Sequence, residues 1–166
     1  MARWKADNHD GAKDAFARSL ALEDNAWAHD ALADVAELEN RKAEALTERR
    51  KALALRPEER ALFLKYGNAA LEAGLYQELY DAICRLTVIR DVPRVKALEV
   101  SALTGLCRYD EARAILLAPL IVPDVREGEL SMGQLWEQLH MKEHNITLEE
   151  AREKYPLPYA LDFRMH

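Results

Sequence analysis

The chain is short of the residues that organise many secreted and catalytic domains. Its 166 residues include two cysteines, Cys84 and Cys107, too few and too far apart for a disulfide framework or a Cys-x-x-Cys motif. Glycine and proline number six each, and no Gly-rich phosphate loop or Gly-x-Ser-x-Gly elbow is spelled, so the usual nucleotide and hydrolase signatures are missing. There is no long apolar run, and the opening MARWKADNHD has no secretory hydrophobic stretch. A reducing cytoplasm, with no membrane span, is therefore the expectation. Basic residues are not in excess: the net charge is −6, which supplies no global field toward nucleic acid or anionic lipid.

What the chain does contain favours helix. Hydrophobic residues make up 49% and charged residues 31%, a balance that argues against disorder. Alanine and leucine dominate, both strong helix formers. A chain of this size buries about two-thirds of its unfolded surface.

A repeat runs through it. Ala12, Ala45, Leu79 and Ala112 are spaced by 33, 34 and 33 residues. Ten positions after each stands an aliphatic residue, Leu22, Leu55, Ile89 and Val122; twelve after stands a helix stopper or cap, Asp24, Pro57, Asp91 and Asp124. Four after come Phe16, Arg49, Ile83 and Leu116, and only the arginine breaks the apolar pattern. Twelve before come Ala33, Gly67 and Val100, two of them small enough for close helix approach. Repetition at this period resembles the tetratricopeptide (TPR) repeat, a 34-residue helix–turn–helix unit. The closest stretches are GLCRYDEA (Gly105 to Ala112), KALALRP (Lys51 to Pro57) and YGNAALEAGLY (Tyr66 to Tyr76, with a turn glycine at Gly74). The departures are Asp24 for a proline, Arg49 for an aromatic, and Glu99 for a core leucine, beside which Val95, Leu98, Ala102 and Leu106 supply an apolar stripe one register away.

The resemblance implies an all-α, right-handed solenoid of antiparallel helix pairs. The repeats occupy 1–124: a half repeat over 1–24, then full repeats near 26–58, 60–92 and 93–125. Helices are expected near 8–22, 26–38, 41–55, 58–73, 75–90, 93–105 and 108–118. Residues 125–166 are a C-terminal cap. Ser131-x-x-Gln134 and Thr147-x-x-Glu150 read as capping boxes opening two helices. The first runs to about Lys142, and the second ends before Pro156. From Tyr155 to Pro158 the prolines impose extended chain, leading into an extended tail. The first repeat keeps only the last turn of its first helix, Arg3 to Ala6, so the chain reads as a piece of a longer protein. The 8–22 helix would then leave an apolar N-terminal edge suited to homodimerisation.

A narrower likeness concerns Asn25 to Ala28, residues 122–129 (VPDVREGE), Leu135-Trp136 and residues 157–165 (LPYALDFRM). These are similar to the C-terminal part of certain large bacterial proteins, in which an uncharacterised galactose-mutarotase-like domain precedes a TPR tail. That likeness implies a C-terminal fragment of a carbohydrate-active protein, with the sugar site outside this chain.

In TPR folds the first helix of each pair lines a concave groove. The corresponding positions here are Trp27, Asp30, Asp34 and Glu37; Leu64, Asn68 and Leu71; and Arg94, Ala97 and Ser101. They are mostly acidic or apolar, unlike the basic carboxylate clamp that binds chaperone tails. Trp27 is the expected anchor for a protein or peptide partner, with packing against the first repeat as its alternative role. The expected function is thus a non-catalytic interaction module or, alternatively, an assembly element packed on an upstream domain of the same protein. The basic cluster Arg41, Lys42, Arg49, Arg50 and Lys51 is interleaved with Glu44 and Glu48 and reads as a solvated, salt-bridged face. Cys84 reads as a small core residue and Cys107 as an exposed turn thiol.

His140-x-x-Glu143-His144 spells the motif order of one class of zinc peptidase. A metal hydrolase built on it would need a third protein ligand and a cleft. Only 22 residues follow His144, so the segment is expected to end a capping helix with Asn145 as its stop, with no resident metal and no cofactor.

Overall fold

A computed structural model describes residues 9–118 and 131–161. Among the described residues all regular structure is helical: α1 (His9–Leu22), α2 (Ala26–Leu38), α3 (Lys42–Leu55), α4 (Arg60–Glu72), α5 (Tyr76–Cys84), α6 (Pro93–Gly105), α7 (Tyr109–Leu117), α8 (Met132–His144), α9 (Leu148–Lys154) and a 3-10 turn over Tyr159–Leu161. No described helix is long and apolar enough to cross a membrane. The chain forms two compact units, Met1–Ala69 and Ala70–His166.

In the first unit α2 packs on α1 and α3. Ala36, near the end of α2, shares a buried cluster with Ala45, near the start of α3. Ala26, at the start of α2, meets Ala52 near the end of α3, together with Leu62. The two helices are therefore antiparallel, and alanine at these contacts lets their backbones approach closely. Asn25 caps α2 by accepting a hydrogen bond from the Trp27 N–H (2.9 Å), as expected of an asparagine at that position.

The sequence period is also a backbone period. The turns after α2, α4 and α6 each place one residue in the left-handed region: Asn40 (φ 58°), Gly74 (φ 71°) and Cys107 (φ 59°). Each turn closes with the same two bonds, which satisfy carbonyls a helix end would leave orphaned. Asn40 N–H donates to Glu37 O and Arg41 N–H to Ala36 O. Gly74 donates to Leu71 and Leu75 to Ala70; Cys107 donates to Thr104 and Arg108 to Leu103. The next residue is alike in all three: φ/ψ are −96°/60° at Arg41, −86°/51° at Leu75 and −94°/60° at Arg108. The left-handed residues lie 34 and 33 positions apart, the same intervals as separate Ala45, Leu79 and Ala112. Those three anchors are buried, as are Ala33 and Val100 upstream and Ile83 and Leu116 downstream. The side chain of Ala12, like Val122 and Asp124, lies outside the described residues.

The second unit is organised around Val100 and Leu103 of α6, Ala112 and Leu116 of α7, and Met132, Leu135, Trp136 and Leu139 of α8. Helix α8 and Leu161 of the 3-10 turn thus share one core with α6 and α7. Both capping boxes form: Ser131 N–H donates to Gln134 Oε1 (2.8 Å) and Gln134 N–H to Ser131 Oγ (3.3 Å), and Thr147 and Glu150 make the same exchange (3.0 and 3.3 Å). Gly105 faces Tyr76 so closely that a Cβ there would overlap ring carbons Cγ, Cδ1 and Cδ2. Gly105→Ala should therefore cost about 1–3 kcal/mol, as overpacking does; urea unfolding would show it, and an unchanged midpoint would refute the close approach.

Several expectations need correction. The helix expected over 75–90 ends at Cys84, where Arg85 N–H donates to Ala82 O and Leu86 N–H to Ile83 O, bonds that tighten and close the last turn. Leu86 and Ile89 are still buried, in non-helical chain. Cys84 is consequently exposed, not in the core; Cys107 is exposed as expected. Arg49 does not belong to a solvated face: it is 4% exposed. Of the aliphatic residues ten positions after the anchors, Leu22 and Leu55 are exposed and Ile89 is buried. The tail is not wholly extended, since Tyr159–Leu161 forms a 3-10 turn. The helix ending near Lys142 runs on to His144, and Asn145 caps it in the left-handed region (φ 51°, ψ 50°). The half helix at Arg3 to Ala6, the 122–129 stretch and residues 162–166 lie outside the described residues.

Candidate functional site

The predicted groove positions fall in both units. In the first, Trp27 is 46% exposed and Asn68 is exposed, whereas Asp30 and Leu64 are buried. The acidic row on α2 is largely paired from within. Arg49 donates from Nε to Glu37 (3.1 Å), from Nη1 to Asp30 (3.0 Å) and from Nη2 to Asp34 (3.1 Å). Lys65 donates from Nζ to Asp30 Oδ2 (2.7 Å) and Asp34 Oδ2 (2.8 Å). Burial pushes the Lys65 ammonium down, but the two aspartates outweigh it and leave its pKa raised. Three carboxylates facing two cations leave the row with a formal charge of −1 where the letters alone suggest −3. In the second unit Leu71 and Ser101 are half-buried, Ser101 returning its hydroxyl to Ala97 O (3.2 Å), and Arg94 is buried.

Glu99, expected at a core leucine position, is indeed buried and keeps its charge paired: Lys96 Nζ lies 3.0 Å away. The sequence does not reveal Lys65 or Arg49 as partners of the α2 acids, because they are 12 to 35 residues distant along the chain.

A second cluster lies at the end of α8. One helical turn brings His140, Glu143 and His144 together, with one ligand-type atom from each all within 4.8 Å of one another. His140 Nδ1 is 3.6 Å from Glu143 Oε2, and His144 Nε2 is 3.5 Å from the same oxygen. Arg113 of α7 donates from Nη2 to that oxygen and from Nη1 to Asp110 (2.7 Å). Tyr155, just past α9, stacks on both imidazoles, with centroids 4.2 Å from His140 and 4.5 Å from His144 and planes within 6° of parallel. Trp136 meets His140 edge-on at 4.4 Å and donates from Nε1 to Tyr155 O (3.0 Å).

Among the described residues, the buried histidines His29 and His140 differ sharply. His29 has a carboxylate on each ring nitrogen, Glu48 at Nδ1 and Asp24 at Nε2. His140 is 4% exposed, and neither of its nitrogens has a hydrogen-bond partner. Burial holds the His140 imidazole below its ordinary value; Glu143 opposes this, while Arg113 and His144 add to it. Arg113, Trp136 and Tyr155 were not foreseen as neighbours of the motif, since helix packing and the α9 turn bring them there.

The chain matches no protein-family model, no curated protein and no solved structure.

Proposed function

We propose that the chain is a TPR-like helical-repeat module that works by holding a protein or peptide partner, without catalysis of its own. One observation carries this: three turns of identical backbone at Asn40, Gly74 and Cys107, in step with the buried anchors. Repeating helical pairs present an extended surface suited to another chain. With Asp30, Asp34 and Glu37 committed to Arg49 and Lys65, recognition in the first unit falls to Trp27 and Asn68. An exposed tryptophan is the residue type that most often dominates interface energetics.

Affinity capture followed by titration of the captured partner tests this. Trp27→Ala should weaken retention at least about tenfold, the scale of a hot-spot residue, and Asn68→Ala by less. Both are exposed, so both variants should fold. Retention unchanged in the two variants would overturn the proposal.

A further inference from the structure

We propose that His140, Glu143 and His144 form a binding site for a zinc-class divalent ion, held through His140 Nδ1, Glu143 Oε2 and His144 Nε2. The spacing is the first support. A tetrahedral zinc with bonds near 2.0–2.1 Å has ligand atoms about 3.3–3.4 Å apart. The two histidine-to-carboxylate separations, 3.6 and 3.5 Å, are nearly that edge already. Only the gap between the histidines must close, and the His144 side chain, 34% exposed, has room to turn.

The second support is His140 itself. A buried imidazole with both nitrogens unpaired forgoes the hydrogen bonds that buried polar groups ordinarily make, whereas His29 in the same chain has both nitrogens satisfied. A metal bond to Nδ1 would supply the missing partner. Tyr155 and Trp136 fix the plane of the imidazole by stacking and edge contact, and a rigid ligand loses little freedom on binding. Two imidazoles with one carboxylate favour zinc, cobalt, nickel or copper over magnesium or calcium.

Arg113 shares Glu143 Oε2 with the ion. The carboxylate has a second oxygen, so metal and guanidinium can divide the pair. With three protein ligands on one helical turn, the ion would clip the last turn of α8 beside its left-handed cap. Nothing in this depends on partner binding.

The test is titration of the full, tag-free chain with Co²⁺, followed by its visible ligand-field bands, and displacement by Zn²⁺. One equivalent should bind, with zinc displacing cobalt, and binding should weaken as pH falls because protons compete for the imidazoles. His144→Ala should lose at least the tenfold that removal of even an outer-shell partner costs, as should Glu143→Gln, which keeps the side-chain shape. His9→Ala, remote in sequence, should leave the titration unchanged. Absence of saturable binding, or binding by both site variants within about twofold of the parent, would overturn the assignment. Circular dichroism on each variant separates lost ligation from lost fold.

Discussion

Arg49→Ala is expected to lower the unfolding free energy by about 3–5 kcal/mol, the usual consequence of removing one partner from a buried ion pair. Arg49 is 4% exposed and Asp30 6%, so the carboxylate left behind could not be rescued by water. Lys65 would still reach Asp30 (2.7 Å), but it also serves Asp34, and two acids would then share one ammonium. Arg49→Lys should recover only part of the loss, since a single ammonium cannot fork toward Glu37, Asp30 and Asp34 together. Pairing Arg49→Met with Asp30→Asn separates charge from volume: if the double variant is more stable than Arg49→Met alone, the orphaned charge is the main cost. Urea unfolding followed by helical circular dichroism measures all of these. A loss below about 1 kcal/mol for Arg49→Ala would mean that Asp30 is less buried or better served than its contacts indicate.

Trp136→Ala should cost a similar amount, about 3–5 kcal/mol, typical of large aromatic deletions from a core. The indole packs among residues of α6, α7 and α8 and is 8% exposed. It also carries two contacts a simple core residue would lack, the edge contact to His140 and the bond to Tyr155 O (3.0 Å). Trp136→Phe keeps most of the apolar area but orphans the Tyr155 carbonyl, so it should cost about 1–3 kcal/mol. Equal losses from the two variants would show that the hydrogen bond, not the volume, dominates.

The helices were legible because their signals are local. Apolar spacing and the two capping boxes each depend on residues within a turn or two, and the buried anchors at Ala45, Leu79 and Ala112 recur at a fixed interval that needs no knowledge of contacts. Less legible was whatever depended on partners far along the chain. Arg49 stood out as the one polar residue in an apolar column, and only the fold shows that Asp30, Asp34 and Glu37 are the reason. Likewise the row of acids on α2 suggests open groove chemistry in the letters, whereas in the fold each of the three is paired with Arg49 or Lys65. The early close of α5 carries no such local signal, since no glycine or proline stands between Gly74 and Pro93. At the His140 cluster the motif was plain in the letters, but the stacking of Tyr155, 15 residues beyond His140, and the reach of Arg113 were not.

The three left-handed turns have a consequence for how such a chain can change its length. Asn40, Gly74 and Cys107 have different side chains but the same backbone and the same closing bonds. The segments 41–74 and 75–107 therefore begin and end in interchangeable joints. Copying or deleting either segment whole would rejoin the chain in a conformation it already adopts, with no new turn to invent. Gene duplication could thus add or remove such a segment without disturbing the turn geometry at either junction.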